Sequence, residues 1–122
     1  MRLVVGGGRV RGFPKLRLGD VALNIDPDVR PDVQGDIAVA PLASASFQEV
    51  YFEKVPYDAF TGNNIGAIKE VARLLRLGGR IRIETGSLVP ISEVLAAMRK
   101  EGFQYVRVSQ KGFIRITGRF RK

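Results

Sequence analysis

With 122 residues, 45% of them hydrophobic, the chain has room for one core and one domain, residues 1–122, and its composition argues against disorder. Cysteine and histidine are absent, which removes disulfides, His/Cys metal sites, Ser-His-Asp triads and imidazole acid–base chemistry. The formal charge of +8 points to anionic partners; no apolar run approaches the roughly 20 residues of a bilayer span and no signal-like start is present, so the expected site of action is the cytoplasm, with no membrane partner.

Leu3-Val4-Val5 is a short apolar run ended by Gly6, Gly7 and Gly8, which reads as a buried strand entering a tight loop. Arg9 to Asp20 contains Gly12, Pro14 and Gly19 and holds at most a turn of helix. Val21 to Ile25 reads as a second strand, stopped by Asp26-Pro27-Asp28, and Ile37-Ala38-Val39 as a short third strand before Pro41. Glu49 to Phe52 is a fourth, ending near Pro56. The period then changes. Ile65, Ile68, Val71, Ala72 and Leu75 recur at helical spacing, with Thr61, Asn63 or Asn64 as the cap and Gly78-Gly79 as the left-handed stop.

Arg80 to Glu84 alternates as a strand, and Ile91, Val94, Leu95 and Met98 mark a second helix closed by Gly102. Tyr105 to Ser109 and Phe113 to Thr117 flank the turn signal Gln110-Lys111-Gly112, which predicts a β-hairpin. Strands joined by crossovers, then strands alternating with helices, then a hairpin, describe an α/β domain: a mostly parallel sheet with an antiparallel C-terminal edge. The chain starts almost on its first strand, so the expectation is a minimal version of such a fold or, preferred, a piece cut from a longer protein.

The order strand, Gly-rich loop, strand ending in Asp26, Gly35-Asp36-Ile37, Pro41, Phe47-Gln48-Glu49-Val50, helix, Arg76-Leu77-Gly78-Gly79-Arg80-Ile81 resembles the class I S-adenosylmethionine-dependent methyltransferases. The likeness runs from about Leu3 to Glu84, and Ile68 to Ile81 is its strongest stretch, with Leu77 where proline is common in the family. It implies a Rossmann-like sheet and S-adenosylmethionine as cofactor. The sequence departs from the family at Val4, where an acidic residue is usual, and in the helices that normally precede the first strand and follow the Gly loop.

The candidate residues follow. Backbone of Gly6, Gly7, Gly8 and Gly12, free of Cβ atoms, lets N–H groups approach a ligand closely. Asp26, at a strand end, is placed to accept both hydroxyls of a ribose; the alternative is a turn-initiating Asp before Pro27. By resemblance, Asp36 takes the exocyclic amine of adenine and Ile37 packs on the ring; the alternative for Asp36 is a loop carboxylate capping local amides. Glu53, Lys54 and Tyr57 follow the fourth strand and are the catalytic candidates. Lys54-Val55-Pro56-Tyr57 faintly resembles the Asn/Asp-Pro-Pro-Tyr motif of methyltransferases acting on nucleic acid bases, although a charged Lys54 cannot accept a hydrogen bond; the alternative is a strand end at Pro56 with Tyr57 packed in a loop.

The positive charge is concentrated. Arg99 to Lys122 carries eight basic residues against Glu101 alone, and the first twenty residues add Arg2, Arg9, Arg11, Lys15 and Arg17 against Asp20. Such a surface attracts nucleic acid or another polyanion, or an acidic protein partner, or is simply a solvated face. Three functions compete: a methyltransferase with a nucleic acid or other anionic acceptor; a toxin or effector domain, similar to the C-terminal domains of bacterial polymorphic toxins and neutralised by an acidic immunity protein, with methyl transfer lost or replaced; and a dinucleotide-binding module, against which the Gly78-Gly79-Arg80 turn argues.

Overall fold

The computed structural model describes residues 1–6, 16–53, 66–85 and 91–121. In chain order the elements are β1 (Arg2–Val5), β2 (Val21–Asn24), β3 (Val33–Gln34), β4 (Phe47–Glu53), α1 (Gly66–Leu74), β5 (Leu75–Thr85), α2 (Ile91–Lys100), β6 (Phe103–Ser109) and β7 (Ile114–Phe120), with 3-10 turns at Pro27–Val29 and Ile37–Val39. The strands form one sheet in the order β3-β2-β1-β4-β5-β7-β6. β1, β2, β3, β4 and β5 pair in parallel, and β7 runs antiparallel to both β5 and β6. From β1 the chain winds outward one way to β3, then returns to build β4 and β5 on the other side. The order therefore reverses between β1 and β4.

Alternation along the strands sorts side chains onto two faces. Leu3, Val5, Leu23, Val50, Phe52, Ile81, Ile83 and Ile116 share one face and join the buried cluster to which α1 contributes Ile68, Val71 and Leu74 and α2 contributes Val94 and Met98. Burying each such side chain stabilises the fold by about 1.5–3 kcal/mol. The opposite face is different in kind. Register sets Arg2, Glu49 and Arg80 in one row and Tyr51, Arg82 and Thr117 in another, with Glu84 opposite Arg115. Such polar rows are uncommon on a parallel sheet, which is normally apolar on both sides.

Two expectations need correction. Ile37-Ala38-Val39 is a 3-10 turn and not a strand: the Asp36 carboxylate accepts the Ala38 N–H and offers the backbone an alternative to ladder bonds. The third strand is Val33–Gln34, paired with Leu23 and Asn24. Gly78-Gly79 does not stop the helix, because α1 ends at Leu74, where Ala45 and Ser46 N–H groups take the Arg73 and Leu74 carbonyls. The glycines serve a bulge instead. Phe47 pairs with Leu75, but Glu49 already pairs with Arg80. Gly78 takes a left-handed φ of 82°, and a Cβ on Gly79 would lie 2.8 Å from the Arg76 carbonyl oxygen.

The remaining elements follow the expected pattern with shifted bounds: β4, β6 and β7 are longer than expected, while β2 stops at Asn24, one residue short of Ile25. α2 ends as anticipated, with Gly102 at φ 96° donating its N–H to the Arg99 carbonyl. The hairpin forms around Gly112, and Ser109 faces Arg115 across it. The weak helix expectation for Arg9 to Asp20, the caps Thr61, Asn63 and Asn64, and the helix start at Ile65 lie wholly or mainly outside the described residues. Among the described residues, no helix is long and apolar enough to cross a membrane.

Candidate functional site

Parallel strands bring their carboxyl ends to one edge of the sheet, and in open α/β sheets ligands bind there, at the point where strand order reverses. Gly6 follows β1 at that edge, with a left-handed φ of 82° and its N–H donated to the Leu23 carbonyl of β2 at 2.8 Å. Asp26 lies two residues beyond the end of β2, and Gly35-Asp36-Ile37 follow the end of β3, where the Gly35 N–H bonds the Asn24 carbonyl at 3.0 Å. Glu53 closes β4, the neighbour of β1 on its other side. The topology thus brings Gly6, Asp26, Asp36, Ile37 and Glu53 to one edge. Gly7, Gly8, Lys54 and Tyr57 lie outside the described residues.

Both carboxylates have local duties. Asp26 caps the Pro27–Val29 turn, its Oδ1 accepting the Asp28 N–H at 2.9 Å, and Asp36 Oδ1 accepts the Ala38 N–H at the same distance. Each side chain is exposed, and an ionised carboxylate has capacity for further donors at its second oxygen. A carboxylate that caps its own turn is also held in place by it, so the cap and the ligand roles are compatible. Ile37 is half-buried and packs on the core cluster. Ile25, next to Asp26, is 68% exposed and supplies apolar surface that the sequence reading did not single out. Its only signal was an apolar residue at a strand end before an Asp. The Asp36 loop is tied to α1: Glu70 Oε2 accepts the Ala40 N–H at 2.9 Å, and Arg73 donates to the Ala40 carbonyl at 3.1 Å.

The polar face carries the other organised set of charges. The Tyr51 ring lies between the guanidinium carbons of Arg2 and Arg82, 5.1 and 5.2 Å from its centroid, and its hydroxyl donates to Glu84 Oε2 at 2.7 Å. Glu84 also accepts from Arg82 and, at 3.0 Å, from Arg115; Arg80 donates to Glu49, and Arg2 to Asp20. Burial alone would raise the Glu84 carboxyl, but the Tyr51 hydroxyl, Arg82 and Arg115 together hold it below its ordinary pKa. Asp20 behaves alike: burial raises it, while Arg2, the Arg17 N–H and the charges of Arg2 and Arg17 lower it further than burial lifts it. Among the described residues, no buried side-chain polar atom lacks a partner. Val4, where the resembled family has an acid, is buried in β1 beside this network.

No protein-family model matches the sequence, and neither does any curated protein. Solved structures do match by shape. A SAM-dependent methyltransferase from Thermotoga maritima superposes with a TM-score of 0.73 at 14% identity, over 98% of this chain and 82% of that one. A SAM-dependent methyltransferase from Aquifex aeolicus gives 0.69 at 12%, over 98% and 81%. PigF, solved with SAH, gives 0.57 at 16%, over 71% of this chain and 34% of its own. The chain therefore has the class I methyltransferase fold, a Rossmann-like α/β sheet with an antiparallel C-terminal hairpin.

Proposed function

We propose that this chain binds S-adenosylmethionine at the carboxyl edge of β1, β2 and β3 and transfers its methyl group to an anionic acceptor of the nucleic acid class. The observation that carries the reading is the placement of Gly6, Asp26 and Asp36 on one edge, beside the reversal of strand order between β1 and β4. The donor set fits an adenosyl group: Asp26 suits vicinal hydroxyls, Asp36 an exocyclic amine, and Ile25 and Ile37 an apolar ring. Backbone at Gly6, and in sequence at Gly7 and Gly8, carries no Cβ to keep a ligand away. That the likeness includes a protein solved with SAH supports the same assignment.

The bound cofactor supplies an already activated methyl group, so the protein's task is mainly alignment. Glu53, at the end of β4, is the residue assigned to receive a proton where the acceptor must lose one. Lys54 and Tyr57, next in sequence, are assigned to hold the acceptor. The net charge of +8 supports an anionic acceptor.

S-Adenosylhomocysteine tests the cofactor reading. At about 100-fold its dissociation constant it should stabilise the fold by about 2.7 kcal/mol, several degrees in melting temperature. Asp26→Ala should remove that rise. It also removes a turn cap, worth about 1 kcal/mol, so the decisive quantity is the ligand-induced increment and not the starting melting temperature. A flat melting curve at millimolar ligand would defeat the proposal.

A further inference from the structure

The outer face of the C-terminal hairpin is unlike the rest of the polar face. Arg80, Tyr105, Arg107, Thr117, Arg119 and Arg121 surround a groove of about 400 Å³. Arg80 is paired with Glu49, whereas among the described residues Arg119 donates to the Gly78 carbonyl and meets no carboxylate, and neither do Arg107 and Arg121. Tyr105 is 68% exposed, and the Arg121 guanidinium carbon lies 5.6 Å from its ring centroid. The backbone there is irregular: register shifts between Gln104 and Arg107, and Tyr105 itself takes a left-handed φ of 54°. A non-glycine residue in that region costs of order 1–2 kcal/mol, and bulges commonly serve to re-aim a side chain.

Along β7, register carries the same face from Arg119 through Thr117 to Arg115, opposite Glu84. There Phe113, 42% exposed, has the Arg115 guanidinium carbon 5.2 Å from its ring. Guanidinium groups that meet no carboxylate among the described residues at one end, two exposed aromatic rings and a line of polar residues between them form one feature. Guanidinium groups neutralise phosphates, and exposed rings stack on unpaired bases, whereas an acidic protein surface would need only the charge. We propose that this face docks single-stranded nucleic acid, with Arg107, Arg119 and Arg121 on the backbone and Tyr105 stacked on a base. The docking rests on the proposed function only for its purpose; the binding itself requires no cofactor.

The test is anisotropy of a labelled single-stranded oligonucleotide of about 12 nucleotides, without S-adenosylmethionine, across a salt series. Failure here therefore differs from failure of the cofactor reading. Replacing Arg107, Arg119 and Arg121 by Gln should flatten the slope of log affinity against log salt by about 0.7 per lost phosphate contact. Tyr105→Ala should weaken binding about five-fold or more, while Tyr105→Phe, which keeps the ring, should bind as the parent does. Unchanged salt dependence in the triple Gln variant would overturn the proposal, as would parent-like binding by Tyr105→Ala. Equal affinity for polyglutamate would overturn it in favour of an acidic protein partner. Should Tyr105→Ala fail to fold, the triple Gln variant still decides the matter.

Discussion

The two faces of the sheet solve the problem of burial in opposite ways. On the helix face, Leu3, Val50, Phe52, Ile81 and Ile83 are shut away from solvent against α1 and α2, and stability there comes from apolar area and close packing. On the other face, the same strands present Arg2, Glu49, Tyr51, Arg82 and Glu84, half-buried and mutually satisfied by hydrogen bonds and ion pairs. One face is held together by removal from water. The other is held by pairing, and pairing in partial solvent is worth much less per residue. The comparison teaches that a parallel sheet can present a charged face when its carboxylates and guanidinium groups pair, as they do beside Tyr51 and, among the described residues, do not at the hairpin.

The sharpest way to break that contrast is a truncation on the helix face. Phe52→Ala, at a fully buried side chain, should cost about 3–5 kcal/mol in urea unfolding; a loss below about 1 kcal/mol would mean that this face is not the core. The polar face should respond less, and to pH. Asp20 and Glu84 both have folded pKa values below the unfolded ones, so their contribution is present above the unfolded carboxylate range of about 3.9–4.3. It disappears as pH falls through the lower folded values. Urea midpoints should therefore drop below about pH 4, and Glu84→Gln should shrink that drop while costing about 1–3 kcal/mol at neutral pH. A parent-like acid profile in Glu84→Gln would remove this carboxylate from the account. The smallest effect belongs to the hairpin: Arg107→Gln, at a side chain with no partner among the described residues, should leave the melting temperature almost unchanged, within about 0.5 kcal/mol of stability.

Much of this architecture was readable from residue order. The apolar run Leu3 to Val5 meeting Gly6, the alternation of Arg80 to Glu84 and the turn at Gly112 each belong to one element, so local pattern was enough. What local pattern missed lay where two segments compete for one backbone. Ile37 to Val39 has strand-like composition, but the carboxylate of Asp36 reaches its amides first. Val33–Gln34 has no periodicity to detect at two residues, and becomes a strand only because the edge of β2 is open to it. Gly78 was rightly read as left-handed and wrongly given to the helix, because the partner that takes the helix's last carbonyls comes from residues 45 and 46.

For the candidate site, the sequence named Asp26 as a carboxylate at a strand end and Asp36, by resemblance, as one just before a supposed strand, with both their turn and their ligand roles open. Strand order alone put them on one edge with Gly6, since parallel pairing aligns the ends of strands far apart in the chain. The basic C-terminal tail was countable as eight charges, but the strand read from the sequence stopped at Thr117, short of Arg119 and Arg121, whose place on the same face comes from the longer β7. Which of the charges would find carboxylates was beyond that count. Composition and periodicity determined the class of fold, the identity of the elements and the sign of the surface. Tertiary structure decided which charges are cancelled, because cancellation depends on cross-strand register, and register is a property of two segments at once.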